Sequence, residues 1–351
     1  MKAVRIYGAR DVRVESIPKP VCEPGKVLIR TLYCGVCGSD VPRTLEGHVS
    51  IFPASIGHEF SAIVEEVGEG VTGFSPGDLV VLVPLIVCHE CLDCKNGNFG
   101  QCSNCRFIGG SVPDTGGFIE YNLIDPRNLL KMPQDMNPLH AAFVEPLSVA
   151  LHGLFLMGFK AGKEIAVVGA GTIGLLVVQA AKALGAGPIY VFDINQGRLD
   201  RAKQFGTHAV FNTSDEKCLE KFMEMTNQRG VDQVVEAVGV QDTIELSMRI
   251  AGTGANVSII GGMHSDIVLS PRLFYGVFSR RQLNLHGVWM SYSANFPGEE
   301  WRVAAQQIAK NEVNVEPLIY DVCDIDKAYE AISGYDTPNK VTGKIMLRMT
   351  P

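Results

Sequence analysis

Ile165-Ala-Val-Val-Gly-Ala-Gly-Thr-Ile-Gly174 is the stretch of sequence that decides the fold. Its four apolar residues predict a buried strand, and the apolar-periodic segment from Thr172 to Leu184 predicts a helix directly after the glycines. Glycines in a Gly-x-Gly-x-x-Gly sequence between strand and helix permit a tight turn and close approach of a pyrophosphate to the positive end of the helix. A glycine turn without a ligand is the alternative, but this context favours a dinucleotide site. The predicted site consists of Gly169, Gly171, Thr172, Ile173 and Gly174.

Asp193 follows the next predicted strand, Ile189–Phe192. A carboxylate at that position can accept hydrogen bonds from the adenosine ribose hydroxyls, and its charge would repel a 2′-phosphate. NAD is therefore favoured over NADP. Arg198 is the opposing signal, since a guanidinium could bind that phosphate; with Asp193 present, we expect it to pack over adenine or to pair with Asp193.

Regular alternation of strands and helices extends the motif toward the C-terminus. Such alternation with buried apolar strands predicts a parallel, doubly wound sheet of the Rossmann type over residues 151–294. The predicted helices cover 198–205, 217–226 and 243–250, and the predicted strands cover 209–211, 231–238 and 255–260.

Residues 1–150 have a different sequence pattern, in which short alternating strands are separated by Gly/Pro turns. This pattern predicts a β-rich, barrel-like domain. Its clearest strands are predicted over 27–32, 62–67, 79–84 and 119–123. Residues 295–351 return to a helix over 299–310 and short strands ending at 344–347, and we expect this segment to rejoin the first domain. The fold class is therefore α/β with two domains.

Composition limits the classes of partner. The chain has 351 residues, 46% of them hydrophobic, and a formal net charge of −7, which argues against nucleic acid or an anionic membrane as a partner. The longest apolar run, 79–88, is too short to span a bilayer, and the N-terminus lacks the apolar core of a signal peptide. We expect a cytoplasmic protein whose partners are small molecules or copies of itself.

Four cysteines, Cys88, Cys91, Cys94 and Cys102, lie on one short loop. Disulfides are rare in the cytosol, and cysteines with only two residues between them pair with strain. The spacing suits four thiolates around one Zn²⁺ at about 2.3 Å, which leaves no open coordination position and so predicts a structural zinc. Redox thiols and an iron–sulfur cluster are the alternatives, the latter poorly matched to a polar Gly/Asn-rich loop. Cys105 is unassigned.

Four further motifs carry a family resemblance. They are Cys37-Gly-Ser-Asp-Val-Pro-Arg43, Gly57-His-Glu-Phe-Ser61, Phe143-Val-Glu-Pro146 and Trp289-Met-Ser-Tyr-Ser293. With these motifs the chain resembles, over essentially its whole length, the zinc-dependent medium-chain dehydrogenases. Within them it is similar to the polyol branch, which includes the sorbitol dehydrogenases and, closer still, the galactitol-1-phosphate 5-dehydrogenases.

The resemblance implies that the first domain is GroES-like and holds a catalytic zinc bound by Cys37, His58 and the carboxylate of Glu145. Glu59 adjoins His58 and is expected to exchange with Glu145 or a water as ligand. Independently, one thiolate, one imidazole and one carboxylate leave a metal position open for substrate. Cys34 reads as a small buried residue, and Asp40 either orients the imidazole or caps a helix starting near Val41.

A zinc-bound alcohol ionises far more readily than a free one, and hydride can then pass to the nicotinamide. Ser39 is the expected first proton carrier, by resemblance. His48 is either the outer station of the relay or an exposed loop histidine without a role.

Substrate contacts are predicted more broadly. The candidate hydroxyl partners are Glu145, Ser291, Tyr292 and Asn295, and the candidate apolar wall is Phe118 or Phe107. Sorbitol dehydrogenases typically have an arginine where this chain has Ser291, which counts against plain sorbitol. Arg43 is either the partner of a substrate phosphate or a solvated surface residue.

The sequence therefore predicts an NAD-dependent dehydrogenase with two zinc ions per subunit that oxidises a polyol or polyol phosphate. An L-threonine or 2,3-butanediol dehydrogenase of the same family is the alternative. A remoter alternative is an inactive, zinc-stabilised nucleotide-binding protein. The apolar segment 283–289 predicts a sheet edge that joins a second subunit, in a homodimer or homotetramer.

Overall fold

The computed structural model describes residues 1–263, 265–337 and 340–349, and its contacts divide the chain into two compact units. Unit 1 contains Met1–Glu145, Tyr292–Ala309 and the described residues from Val315 onward. Unit 2 contains Pro146–Ser291 and Lys310–Asn314. The contacts thus assign 146–150 and 310–314 to unit 2 and 292–294 to unit 1, unlike the sequence-based boundaries after residues 150 and 294. The domain boundaries themselves stay a prediction.

The strands of the described residues are β1 (Lys2–Gly8), β2 (Asp11–Ser16), β3 (Val27–Gly35), β4 (Glu59–Val67), β5 (Leu79–Leu82), β6 (Leu85–Ile86), β7 (Arg106–Phe107), β8 (Tyr121–Ile124), β9 (Leu129–Lys131), β10 (Ile165–Val168), β11 (Ile189–Asp193), β12 (Ala209–Asn212), β13 (Val231–Glu236), β14 (Ala251–Ile259), β15 (Asn284–Gly287), β16 (Ile319–Asp324) and β17 (Lys344–Arg348).

The α-helices of the described residues are α1 (Asp40–Leu45), α2 (Leu92–Lys95), α3 (Pro138–Ala141), α4 (Val144–Leu156), α5 (Thr172–Ala183), α6 (Gln196–Gln204), α7 (Cys218–Met225), α8 (Gln241–Ile250), α9 (Pro271–Leu273), α10 (Glu299–Ala309) and α11 (Ala328–Ser333). A π-helical segment, Phe274–Ser279, follows α9. Short 3₁₀ turns cover Phe99–Gln101, Pro126–Asn128, Glu316–Leu318, Ile325–Lys327 and Gly334–Asp336.

The sheet of unit 2 is parallel, with its strands in the order β12-β11-β10-β13-β14-β15. The residues of β10 and β11 are all buried, as strands covered by helices on both faces must be. The chain order reverses between β10 and β13, and ligands of doubly wound sheets bind at such a switch point. The predicted Rossmann fold is confirmed.

The main sheet of unit 1 brings distant segments together around β3. Strands β4, β8 and β17 all pair with β3, and β16 runs parallel to β17 beyond it. Gly35, at the end of β3, lies opposite both Glu59 of β4 and Met346 of β17. The register therefore places the loop after β3, the start of β4 and the C-terminal strand at one site.

Most element bounds differ from the predicted ones at their ends. β13 ends at Glu236 rather than Val238, because the Glu236 carboxylate accepts hydrogen bonds from the amides of Val238 and Gly239 and turns the chain. Helix α6 begins at Gln196, where the Asn195 side chain caps it. The predicted edge strand over 283–289 is shorter, Asn284–Gly287.

One helical stretch, Pro138–Leu156, is long and apolar enough to pass a test for a membrane span. The sequence analysis missed it because polar residues, among them Glu145, interrupt the apolar run. Most of this stretch is buried in the structure. Core helices of soluble proteins pass the same test.

Candidate active site

Cys37, His58 and Glu59 form a compact cluster of metal-competent side chains. One ligand atom from each lies within 4.8 Å of the others. Cys37 follows β3, His58 directly precedes β4 and Glu59 begins it, so the β3–β4 pairing brings them together. The imidazole of His58 packs edge-on against Phe107, with ring centroids 5.2 Å apart.

Asp40 supports two members of this cluster. Its Oδ2 accepts a hydrogen bond of 3.0 Å from the Cys37 amide, and its Oδ1 lies 3.8 Å from His58 Nδ1. Helix α1 begins at Asp40 itself with Ser39 at the N-cap, so the predicted alternative in which Asp40 caps the helix is wrong. Asp40 instead orients the loop that carries Cys37.

Lys344 is a site residue that the sequence analysis missed. Lys344 belongs to β17 and is buried. Its ammonium lies 2.8 Å and 2.7 Å from the two carboxylate oxygens of Glu59. A single lysine in the otherwise apolar segment 344–347 was the available signal. Burying a charge is costly unless it is paired, so such a lysine indicates a buried acidic partner.

Glu145 lies outside the 4.8 Å cluster but within its electrostatic field. Burial raises the pKa of Glu145 to about 8, and the negative charges of Glu59 and Cys37 add to this while His58 opposes it. Burial likewise raises the pKa of the Cys37 thiol to about 11. The site thus gathers several acidic groups out of water, an arrangement that a bound cation would stabilise.

The cluster fits zinc on two structural observations. Thiolate, imidazole and carboxylate are all zinc ligands, and three of them leave a fourth position for substrate. In addition, Nδ1 of His58 is buried without a hydrogen-bond partner among the described residues. A buried polar atom without a partner is rare in folded proteins and calls for an explanation such as an ion.

The sulfurs of Cys88, Cys91, Cys94 and Cys102 all lie within 4.8 Å of one another. Those of Cys88 and Cys94 are 3.9 Å apart, and those of Cys88 and Cys102 are 3.5 Å apart. Tetrahedral zinc at about 2.3 Å would separate its sulfur ligands by about 3.8 Å. Backbone amides also point at the sulfurs, with Cys91 N 3.4 Å from Cys88 Sγ. The loop therefore fits a zinc site with no open position, and Cys105 is exposed outside it.

The glycine motif has the geometry of a dinucleotide loop. Gly169 has a φ of +99°, which favours glycine, and a side chain on Gly174 would overlap the carbonyl oxygen of Gly169. Around Gly171, at the N-cap of α5, nothing lies within 4 Å of where a Cβ would stand. Thr172 and Ile173 follow in the first turn. A pyrophosphate can thus approach the backbone at the positive end of the helix.

Asp193 ends β11 and is buried, next to this loop. Its two carboxylate oxygens accept hydrogen bonds of 2.7 Å from the amides of Ala170 and Asn195. Arg198 lies 3.9 Å from Asp193, and its Nε is buried without a hydrogen-bond partner among the described residues. This distance fits the predicted pairing of Arg198 with Asp193, which was one of the two arrangements expected for this arginine.

Ser39 and Arg43 lie one helical turn apart beside the cluster. Ser39 is exposed, and its hydroxyl accepts a hydrogen bond of 3.3 Å from the Arg43 guanidinium. Arg43 also donates to Asp40 and has only 24% of its side chain exposed. His48, by contrast, is 65% exposed and lies 3.5 Å from Glu46. The structure therefore brings Ser39 and Arg43 to the site region more closely than His48.

The remaining predicted substrate residues lie in buried surroundings. Phe118 has no exposed surface and packs in the core of unit 1. Tyr292 stacks on Phe296 and on Trp301, and its hydroxyl accepts a hydrogen bond from the Leu85 amide. Ser291 is buried and accepts a hydrogen bond from Ser148. In this conformation these side chains contact the protein, and their substrate roles stay predictions.

Two family models match the chain. The alcohol dehydrogenase GroES-like domain matches residues 23–134, and the zinc-binding dehydrogenase model matches residues 172–310. The first covers the Cys37, His58 and cysteine-loop sites, and the second begins within the glycine motif.

Curated relatives and solved structures agree with these matches. Galactitol 1-phosphate 5-dehydrogenase of Escherichia coli K12 is 35% identical over 337 residues, covering 96% of each chain. (R,R)-butanediol dehydrogenase of Bacillus subtilis is also 35% identical, over 302 residues, covering 81% of this chain and 86% of that protein.

Among solved structures, galactitol-1-phosphate dehydrogenase from Escherichia coli gives a TM-score of 0.94 at 34% identity, covering 99% of this chain and 100% of that one. A zinc-binding dehydrogenase from Sinorhizobium meliloti 1021 bound to NADP gives 0.90 at 30%, covering 99% of each. These findings support zinc and a pyridine nucleotide as cofactors. The chain belongs to the zinc-dependent medium-chain alcohol and polyol dehydrogenases, a family of oxidoreductases.

Proposed function

We propose that this protein oxidises a secondary alcohol of a polyol or polyol phosphate to the ketose and transfers the hydride to NAD, as galactitol-1-phosphate 5-dehydrogenases do. The observation that carries the proposal is the convergence of Cys37, His58 and Glu59 within 4.8 Å. A thiolate, an imidazole and a carboxylate can hold zinc while leaving a position for an alcohol oxygen.

Zinc held by these side chains would act as a Lewis acid that lowers the pKa of a coordinated alcohol. The protein's own residues then have separate tasks. Ser39, exposed beside the cluster, takes up the alcohol proton while its own hydroxyl proton passes toward solvent. Asp40 orients the loop of Cys37, and Lys344 fixes the carboxylate of Glu59. Glu145 is the second carboxylate available to the metal or to a substrate hydroxyl.

NAD is the proposed cofactor because Asp193 stands at the end of β11, where the adenosine ribose binds in this fold. Its carboxylate can accept hydrogen bonds from ribose hydroxyls and would repel a 2′-phosphate. Because one structural relative is bound to NADP, activity should be measured with NADP as well as with NAD. Arg198, 3.9 Å from Asp193, is the residue that would favour NADP if the carboxylate were removed.

A phosphorylated polyol is favoured over a plain one by Arg43. This guanidinium lies 3.3 Å from the Ser39 hydroxyl and is three-quarters buried, so it is held at the site region rather than fully solvated. Arginine is well suited to planar, bidentate recognition of phosphate. Ser291, where sorbitol dehydrogenases typically carry an arginine, counts against plain sorbitol.

The test is a substrate panel with the zinc-loaded protein. Galactitol 1-phosphate, sorbitol, xylitol, L-threonine and 2,3-butanediol would each be offered with NAD and with NADP, and reduced cofactor would be followed by absorbance. We expect the highest kcat/KM for the polyol phosphate with NAD. Preference for L-threonine or 2,3-butanediol would assign the alternative function, which the equal identity to a butanediol dehydrogenase keeps open.

A chelator arm separates enzyme from non-enzyme. Activity should disappear on dialysis against a chelator and return with Zn²⁺. No turnover with any alcohol, before or after metal restoration, would favour the inactive nucleotide-binding alternative.

Two further properties belong to this proposal. The first is a homodimer or homotetramer in the cytoplasm, joined along β15, where Leu285 and the nearby Trp289 are exposed. The second is two zinc ions per subunit, one in each cysteine-containing cluster.

A further inference from the structure

Unit 1 contains a cavity of about 240 Å³ that none of the sites described above uses. Its volume has room for roughly eight waters at ~30 Å³ each. The cavity lies between the short β6–β7 sheet and the segment that follows β8, and His89 of the cysteine loop also lines it. It is large enough for a small metabolite.

The cavity is electropositive. Among the described residues that line it, Lys26, Arg106 and Arg127 are cationic, and Asp125 is the carboxylate. The excess of two positive charges stands in a protein whose formal net charge is −7. A cleft lined by one sign of charge concentrates ligands of the opposite sign.

Asp125 is already satisfied by the protein. Its two oxygens accept hydrogen bonds of 2.9 Å and 3.0 Å from Arg127, and Lys26 lies 3.4 Å away. The Arg127 guanidinium beside it holds the pKa of Asp125 well below its usual range, so the carboxylate stays ionised and fixes both cations in place. Lys26, with three donors, retains capacity for a further acceptor.

Arg106 approaches the same space from another element. It lies in β7 opposite Ile86 of β6, and Leu85 of β6 accepts a hydrogen bond of 2.8 Å from Asn128, the neighbour of Arg127. The two arginines are thus held on elements that are bonded to each other. Cations on two such elements can bind one anion between them.

Most of the remaining lining is apolar, and His89, Thr115 and Asn128 are its uncharged polar members. Leu85, Ile108 and Ile124 are buried, and Phe296 forms part of the wall, where its ring stacks on Tyr292. Ligand sites in proteins combine mainly apolar walls with a few polar groups that fix orientation. A ligand that fits this lining has an anionic group and an apolar body.

We infer that this cavity binds a small organic phosphate monoester, with its phosphate between Arg106 and the Lys26–Arg127 pair and its organic group against Leu85 and Phe296. A phosphate monoester carries about two negative charges at neutral pH, which matches the excess of two cations in the lining. This binding site is separate from the Cys37 cluster and requires no turnover.

The test localises a heavy-atom probe. Crystals of the zinc-loaded protein would be soaked with 4-bromophenyl phosphate, and bromine would be located by anomalous scattering. We expect a peak in the cavity beside Leu85 and Phe296, and none with 4-bromobenzyl alcohol, which lacks the phosphate. No peak in the cavity, or a peak only at the Cys37 cluster, would overturn the inference.

Calorimetry of the same probe in solution tests the cations. Arg106→Ala should weaken binding at least fivefold, while Arg272→Ala, which removes an exposed arginine of unit 2, should leave the affinity unchanged. Lys26→Met is a second variant should Arg106→Ala disturb the adjacent cysteine loop. The proposal is wrong if both cavity variants weaken binding less than fivefold. It is also wrong if Arg272→Ala weakens binding as much as they do, because the binding would then depend only on the overall charge of the protein.

Discussion

The ammonium of Lys344 lies 2.8 Å and 2.7 Å from the two carboxylate oxygens of Glu59, although 285 positions separate the residues in sequence. Both side chains are buried, and Lys344 also donates to the carbonyl of Val36 at 3.3 Å. A side chain on Gly35 would overlap the Glu59 carboxylate, so the pair depends on that glycine. The pair ties the C-terminal strand to the metal cluster.

Lys344→Met should destabilise the protein strongly. Burial opposes the charge of this lysine, yet the carboxylate of Glu59 raises its pKa above the usual value, so the lysine is ionised at neutral pH. Removing one partner in the zinc-free protein leaves an uncompensated buried charge, which costs about 3–5 kcal/mol. Urea denaturation at pH 7 measures the change.

The matched control is Lys2→Met, which breaks the exposed ion pair with Asp326 and should have a much smaller effect. Glu59→Gln combined with Lys344→Met removes both charges and should recover part of the lost stability. If Lys344→Met and Lys2→Met lower the free energy of unfolding equally, the buried pair stabilises the protein no more than the exposed pair does.

Cys91→Ser should remove one zinc ion per chain. Its sulfur belongs to the cluster in which all four sulfurs lie within 4.8 Å, so three thiolates would remain. Structural zinc requires four ligands for a closed site. Metal content by mass spectrometry should fall from two ions to one, while Cys105→Ser, three residues beyond the cluster, should retain both. Loss of zinc in both variants, or in neither, would contradict the assignment.

Asp193→Ala should shift cofactor preference from NAD toward NADP. The substitution removes an acceptor for the ribose hydroxyls and the charge that repels a 2′-phosphate, and it releases Arg198, now 3.9 Å from the carboxylate. We expect the KM for NAD to rise about tenfold or more, equivalent to ~1.4 kcal/mol. Asp200→Ala, on the exposed face of α6, controls for the loss of one negative charge. An unchanged NAD/NADP ratio would show that Asp193 does not select the cofactor.

The fold was largely predictable because its signals are local. The strand Ile165–Val168 was predicted with the observed bounds, since four apolar residues before a glycine turn fit a buried parallel strand and little else. The clusters of metal-competent side chains were also predictable, because cysteine and histidine in short spacings have few structural uses, while their role as ligands stays a prediction.

The parts that escaped prediction depend on distant segments. The Lys344–Glu59 pair arises from the register of β17 and β4 on β3, which no local pattern encodes. Likewise, no local pattern encodes the stacking of Tyr292 on Phe296 and Trp301 or its hydrogen bond from Leu85, and its substrate role stays a prediction. Periodicity predicts which elements form, whereas the contacts of a polar side chain depend on tertiary packing.

Asp125→Asn should lower stability at neutral pH but not in acid. Arg127 lowers the pKa of Asp125 in the folded state, so the carboxylate stabilises the fold above its unfolded pKa of about 3.9. That contribution is lost as the pH falls through the folded pKa. Urea midpoints of the two proteins should differ by a constant amount from about pH 8 to 5 and should begin to approach each other only below about pH 4, as the pH falls toward the lowered pKa of Asp125. Asp135→Asn controls for the charge, and divergence in acid would contradict the sign.

Arg43→Ala should discriminate between phosphorylated and plain polyols. The guanidinium lies 3.3 Å from the Ser39 hydroxyl, so a substrate phosphate near the proton-carrying serine would be within its reach. We expect kcat/KM for galactitol 1-phosphate to fall at least tenfold, with a much smaller change for galactitol, because charge-assisted hydrogen bonds to phosphate are strong.

If Arg43→Ala acts only by disturbing Ser39, kcat/KM should fall equally for galactitol 1-phosphate and galactitol. The ratio of the two kcat/KM values therefore isolates the phosphate contact. Arg43→Lys keeps the charge without the planar fork and should retain part of the preference. Equal losses for the two substrates would assign Arg43 to the support of Ser39 and Asp40, to which it already donates. The substrate would then be a polyol without a phosphate at this position.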